Sequence, residues 1–215
     1  MDLRKWDIIY HQIVRDFGFD TAKDERSALI LSSLLTLKGC FEETQSKLRH
    51  IIREREVLVC GKAPTLVGDI KNGKIETRET IIAADGATSV LLAQGVIPHI
   101  IVSDLDGSIN DLKRANAMCA IMVIHAHGDN IDAIKTHVPS LSAVLGTTQA
   151  KPLNNVLNIG GFTDGDRAVF LAKEFGARTV SAIGFDFSDN NVSPTKKKKL
   201  LWAKRLLEGA DVNFK

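Results

Sequence analysis

From Glu56 onward the chain repeats one pattern: a short β-branched apolar run, a break rich in glycine and carboxylate, then a helical stretch. The runs fall at 57–60, 80–84, 100–103, 121–124, 143–145, 156–159 and 179–183. Apolar runs this short, without polar alternation, fit strands buried on both faces, and the helices between them supply the crossovers that parallel strands require. The expected fold is α/β: a mostly parallel, Rossmann-like sheet with flanking helices. Strand order is not readable from the pattern.

The first 55 residues follow a different period. Trp6, Ile9, Tyr10, Ile13, Val14 and Phe17 recur at three- and four-residue intervals until Gly18 interrupts them, the signature of an amphipathic helix. Asp20 or Thr21 can cap a second helix through Leu29, Ile30, Leu34 and Leu35 to Lys38, with Gly39 as a left-handed stop. Residues 41–55 give a third. The chain of 215 residues thus divides into a helical N-terminal region, 1–55, and an α/β catalytic domain, 56–215, a length suited to one large core with a helical appendage.

Composition excludes more than it identifies. A formal net charge of +2 without clustered basic residues gives no basis for a nucleic-acid partner. The three cysteines, Cys40, Cys60 and Cys119, lack C-x-x-C spacing, which argues against a cysteine-based zinc site and a disulfide framework and favours a reducing interior. Residues 1–10 mix charges with apolar side chains and read as no secretory signal, and no apolar run approaches the roughly 18–20 residues of a membrane span. The expectation is a cytoplasmic protein with no membrane partner.

In an open parallel sheet, ligands bind beyond the carboxyl ends of the strands. After successive runs come Gly61-Lys62-Ala63-Pro64, Asp85-Gly86, Asp104-Leu105-Asp106-Gly107, His125 to Asn130, Gly160 to Arg167, and Gly184-Phe185-Asp186. Asp104 and Asp106, two apart in an extended segment, project to one side, and paired hard oxygens suit Mg²⁺ bridging phosphates. Capping or an Asx-turn toward Gly107 is the competing role for Asp104, and an N-cap role competes for Asp85. His125 and His127 share a face; with Asp129 they could bind zinc, satisfy backbone groups, or donate to phosphate or a leaving group. Gly160-Gly161 permits close backbone approach and the helix near Asp164 offers N–H groups to anions. Thr163 with Asp166 forms a capping-box pattern, leaving Arg167 as the phosphate contact.

Two apparent motifs carry no such meaning. Gly61-Lys62 lacks the first glycine and the Ser/Thr of a Walker A loop, and Asp16-Phe17-Gly18 sits in a helical stretch with no glycine-rich loop upstream. The Lys196 to Lys199 run is either a solvated helix face or an overhang above a phosphate site.

Taken in order, 61–66, 85–87, 103–107, 125–130 and 160–168 resemble the archaeal 6-hydroxymethyl-7,8-dihydropterin pyrophosphokinase family, and the likeness runs from about Glu56 to Lys204. Ala63-Pro64-Thr65 stands where that family has Gly-Pro-Ser, His99 where an aspartate commonly follows the proline, and Ser103 where threonine is frequent. The resemblance implies a fold similar to the catalytic domain of thiamin pyrophosphokinase. It further implies ATP as co-substrate, Mg²⁺ or another divalent cation, a reduced hydroxymethylpterin as acceptor, AMP as product, and a role in making a pterin one-carbon carrier. On that reading Asp104 and Asp106 hold metal, with Asp85 and Asp129 completing its shell. His125, His127 and Arg167 then stabilise phosphate or the leaving group. Gly61, Lys62, Ala63, Pro64, Asp85, Gly86, Gly160, Gly161, Thr163 and Asp164 line the nucleotide. The rivals are thiamin pyrophosphokinase, a zinc hydrolase built on His125, His127 and Asp129, and a non-catalytic nucleotide-binding module whose N-terminal helices form a partner or homo-oligomer surface.

Overall fold

A computed structural model describes residues 3 to 215; Met1 and Asp2, the start of the stretch read for a secretory signal, lie outside the described residues. The seven sequence runs form β1 (Glu56–Cys60), β2 (Thr80–Ala84), β3 (Ile100–Ser103), β4 (Ile121–Ala126), β5 (Val144–Thr148), β6 (Val156–Leu157) and β7 (Thr179–Ile183). An eighth, β8 (Asn213–Phe214), closes the edge. All pair in parallel in the order β6-β5-β4-β3-β2-β1-β7-β8. β8 is two exposed residues long, so it carries no apolar signal.

Two strands extend past their apolar runs. β4 continues through His125 to Ala126, because the buried imidazole remains in the ladder opposite Thr147. β5 continues to Thr148, with Thr147 and Thr148 both buried. The β-branched threonines fit a pleated buried surface although their hydroxyls hid them from an apolar search. In turn, β6 ends at Leu157 rather than Ile159.

Alternation along each strand sends side chains to two cores. Val57, Val59, Ile82, Ile100 and Val102 meet α1 (Leu3–Phe17), α3 (Phe41–Ile52), α8 (Asp164–Glu174) and α9 (Pro194–Leu207) on one face. Leu58, Cys60, Ile81, Ala83 and Ile101 meet α2 (Thr21–Lys38), α4 (Leu66–Lys71), α5 (Asp85–Ala93), α6 (Ile109–Ala117) and α7 (Ile131–His137) on the other. The N-terminal helices therefore pack on both faces of the sheet, and the turn at 18–20 crosses its carboxyl edge.

Helix boundaries follow local chemistry. Asp20 caps α2 by accepting from the Ala22 N–H at 3.0 Å, and Gly39 closes it in the left-handed conformation. The third helix stops at Ile52, short of the expected 55, because Glu54 turns to φ 58° and its N–H donates to Gly176 O at 2.8 Å. Among the described residues no helix is long and apolar enough to cross a membrane.

Candidate active site

The carboxyl ends of β1, β2, β3, β4 and β7 open into one cavity of about 960 Å³. Its wall includes every expected site residue except Gly160 and Gly161: Gly61, Lys62, Ala63, Pro64, Asp85, Gly86, Asp104, Asp106, His125, His127, Asp129, Thr163, Asp164 and Arg167. Gly160 and Gly161 lie just behind it, where the Gly161 carbonyl accepts from Arg167 Nη2 at 3.2 Å. The α9 cations Lys196 and Lys199 overhang the same space.

Carboxylates occupy its centre. Asp85, Asp104 and Asp106 present oxygens all within 4.8 Å of one another, the only such group of potential ligands among the described residues. Asp85 begins α5 instead of capping it, with Ala84 as N-cap. Its Oδ2 accepts from the Ser103 hydroxyl, while its buried Oδ1 has no hydrogen-bond partner. Gly107 is required beside it, because a Cβ there would overlap that carboxylate. The Asx-turn expected at Asp104 is present: its Oδ1 accepts from the Asp106 N–H at 3.3 Å. Both roles for Asp104 coexist, since Oδ2 faces His127.

Electrostatics separate the three. Burial pushes the Asp106 carboxyl up, and the Asp104 charge adds to this, bringing it to about 6. Burial also penalises the Asp104 charge, but the His127 bond and charge, the Asp106 bond and Arg167 outweigh it and hold that carboxyl low. Asp85 is raised by burial, with the Ser103 bond opposing. Asp104 and Asp106 are thus driven apart in acidity by their mutual repulsion. An unpaired buried oxygen beside two further carboxylates is a donor set that could hold a divalent cation.

His127 and His125 play different parts. The Asp129 N–H donates to His127 Nδ1 at 3.3 Å, so Nε2 carries the hydrogen and donates to Asp104 Oδ2 at 3.2 Å. His127 orients a carboxylate. His125 is buried, and burial first, then Arg167 and His127, drive its pKa well below the usual value against the pull of the Gln149 amide. Its Nδ1 lies 3.3 Å from Thr147 Oγ1, and the Thr147 hydroxyl donates to Ile124 O at 3.2 Å. Nδ1 therefore bears the hydrogen, and Nε2 is a buried lone pair without a partner. The ligand atoms of His125, His127 and Asp129 do not assemble as a metal group.

The helix that was expected to greet an anion carries its own. Asp166 accepts from Phe162 N–H, Thr163 N–H (2.6 Å) and Thr163 Oγ1, completing the capping box at the start of α8. Arg167 is buried and fixed by Asp164 Oδ1 at 3.2 Å. Burial, then the Asp104 charge, push the Asp164 carboxyl well above its ordinary value, with the Arg167 guanidinium opposing. On the other flank, Gly61 N–H donates to Ile183 O and Ala63 N–H to Gly184 O, tying the 61–64 loop to β7 and leaving the Lys62 side chain over Gly86.

Two residues at the site, Asp24 and Gln149, escaped sequence reading, and Asn130, read within the 125–130 cluster and found as the N-cap of α7, does more than cap. Asp24, in the first turn of α2, accepts from Tyr10 Oη, Gln149 Nε2 and Gly128 N, each at 2.7 Å. Asn130 holds the His125–Asp104 corner, donating to His125 O at 2.6 Å and Asp104 O at 2.8 Å while accepting from Ser27 Oγ and His127 N–H. Gln149 follows β5 and would have been found by the strand-end rule had that strand been read to Thr148. Asp24 had no signal, since an acidic residue in a first turn is ordinary.

Comparison with known proteins gives the same direction. The sequence profile of the family described as "6-hydroxymethylpterin diphosphokinase MptE-like" matches residues 33–192. A Methanocaldococcus jannaschii protein named 6-hydroxymethyl-7,8-dihydropterin pyrophosphokinase is 45% identical over 196 residues, covering 87% of this chain and 80% of the relative. Proteins of the same name from Pyrococcus furiosus and Methanothermobacter thermautotrophicus are 42% and 37% identical, covering 97% and 99% of this chain and 94% and 97% of their own. The chain belongs to the MptE-like 6-hydroxymethylpterin diphosphokinase family of enzymes.

Proposed function

We propose that this protein transfers diphosphate from ATP to the hydroxymethyl group of 6-hydroxymethyl-7,8-dihydropterin, releasing AMP, in the cytoplasmic synthesis of a folate-like or tetrahydromethanopterin-type carrier. The observation that carries this is the acidic trio of Asp85, Asp104 and Asp106, with an unpartnered buried oxygen, in a cavity also lined by Lys62, Arg167 and Lys199. Asp85, Asp104 and Asp106 would hold Mg²⁺ or another divalent cation, with Asp129 on the same wall able to reach its water shell. Such a cation supplies neutralisation of charge developing on the phosphates.

The chain's own residues then bind and orient. Lys62, with the 61–64 loop and Gly86, takes the nucleotide phosphates, and Thr163 and Asp164 border the same side. Arg167 lends fixed charge from beneath, and His127 holds Asp104 in position. The acceptor oxygen bonds to the β-phosphorus as the bond from that phosphorus to the oxygen bridging to the α-phosphorus breaks. AMP departs with the bridging oxygen, and the hydroxyl proton is released.

The test is to incubate the purified protein anaerobically with ATP, Mg²⁺ and the hydroxymethyl dihydropterin, with thiamin in a parallel reaction, and to separate the products. AMP and a diphosphorylated pterin are expected. AMP only with thiamin would move the activity to another acceptor, and no AMP with either would overturn the transferase reading.

A further inference from the structure

Among the described residues, four buried side-chain polar atoms lack a hydrogen-bond partner, and two of the residues that carry them line the cavity: Asp85, with Oδ1 unpaired, and His125, with Nε2 unpaired. The first belongs with the cation. The second is an acceptor in a dry wall, and a wall that presents an unpaired lone pair has a cost of about 1–3 kcal/mol that an N–H donor relieves.

Sheet order fixes where that lone pair sits. Strands lie about 4.8 Å apart, and the order β5-β4-β3-β2-β1-β7 strings the strand ends along one line. Gln149 and His125 lie at one end, the carboxylates of β3 and β2 in the middle, and Lys62 and Phe185 toward the other. In-line displacement requires acceptor and AMP on opposite sides of the reacting phosphorus. With the phosphates drawn toward Lys62, the nucleoside takes the β1–β7 end and the acceptor takes the β4–β5 end.

That end is built for a flat, partly apolar ring. Phe17, Phe19 and Phe162 pack with centroids 5.1 and 6.2 Å from Phe162, and Phe19 and Phe162 line the cavity. Asp24 holds Gln149 and the Gly128 peptide in place. We infer that the heterocycle of the acceptor alcohol lies at the β4–β5 end, between the turn at 18–20 and Phe162, where His125 Nε2 accepts one of its N–H groups. This deepens the pyrophosphokinase reading and rests on it; within it, His125 is a specificity residue and the N-terminal helices form one wall of the acceptor pocket.

The probe is 6-methyl-7,8-dihydropterin, which has the ring but no hydroxyl to react, titrated calorimetrically against the full-length protein; ATP with Mg²⁺ is titrated separately. His125→Phe keeps a buried ring and removes the acceptor. Its Kd for the pterin should rise about tenfold, from one lost hydrogen bond, with the Kd for ATP within about twofold of the parent. Unchanged pterin affinity, or a loss confined to ATP, would overturn the assignment. Should His125→Phe fail to fold, Phe19→Ala at the half-buried turn provides the same readout: weaker pterin, unchanged ATP, with the reverse pattern overturning it. A parent protein that binds ATP but no pterin would sink the proposed acceptor itself, a result distinct from pterin binding that survives both substitutions.

Discussion

Two sets of carboxylates in this protein sit within one cavity's reach and are treated oppositely. Asp24 and Asp166 are surrounded by donors: a tyrosine hydroxyl, an amide and a peptide N–H for the first, and two peptides and a hydroxyl from the 162–163 turn for the second. Asp85, Asp104 and Asp106 face one another, share few donors, and leave an oxygen bare. A carboxylate saturated with donors is a structural clamp, whereas carboxylates crowded together with few donors store repulsion that a cation relieves. The difference lies in the partners, not in the residue type.

The largest effect expected from this contrast is catalytic. Asp106→Ala should lower diphosphate transfer on the order of 10³-fold, since it removes a ligand acting on developing charge, while leaving the circular dichroism spectrum and urea midpoint intact. AMP release at near-parental rate would dissolve the distinction between the two sets. Second in size is the opposite outcome at a clamp: Asp24→Ala strands three donors, two of them on buried side chains, and should cost about 3 kcal/mol of unfolding free energy, read as a lower urea midpoint at similar slope. A loss below about 0.5 kcal/mol would mean that Asp24 does not hold the 18–20 turn to the sheet.

The contrast also explains what could be read in the chain beforehand. The sheet was legible because β1, β2 and β3 are nearly continuous apolar runs, a pattern set by burial on both faces. The acidic centre was legible because strand ends are where side chains meet, so Asp85, Asp104 and Asp106 announced themselves by position. Roles at the site were less accessible. His125 and His127 look equivalent two residues apart, yet one is desolvated inside a strand and the other turns to Asp104. Asp24 was hidden altogether, because the partners that make it a clamp come from positions 10, 128 and 149. Long-range saturation is a property of three dimensions, and no local spacing encodes it.

A smaller effect tests how closely the N-terminal helices are joined to the site. A Cβ at position 128 would lie 2.6 Å from Lys23 Cβ, an atom near the α2 backbone with little freedom to retreat. Gly128→Ala should therefore cost about 1–2 kcal/mol by pushing the loop from α2 and loosening the Gly128 N–H bond to Asp24. Thermal denaturation would register it, and an unchanged midpoint would show that the loop and helix can separate freely.

The smallest expected effect carries the sharpest sign. If the acidic trio stores repulsion, a divalent cation at ten times its Kd should stabilise the parent protein by about 1.4 kcal/mol, a rise of about 3–6 °C in the midpoint at this chain length. Asp106→Ala already relieves part of that repulsion, so without cation its midpoint should equal or exceed the parental one, and the increment on adding Mg²⁺ should shrink toward zero. Asp24→Ala, a clamp variant, should melt lower but keep its full increment, because the trio is untouched. Equal increments in all three proteins would mean that the cation binds elsewhere and that the crowding of Asp85, Asp104 and Asp106 has another cause.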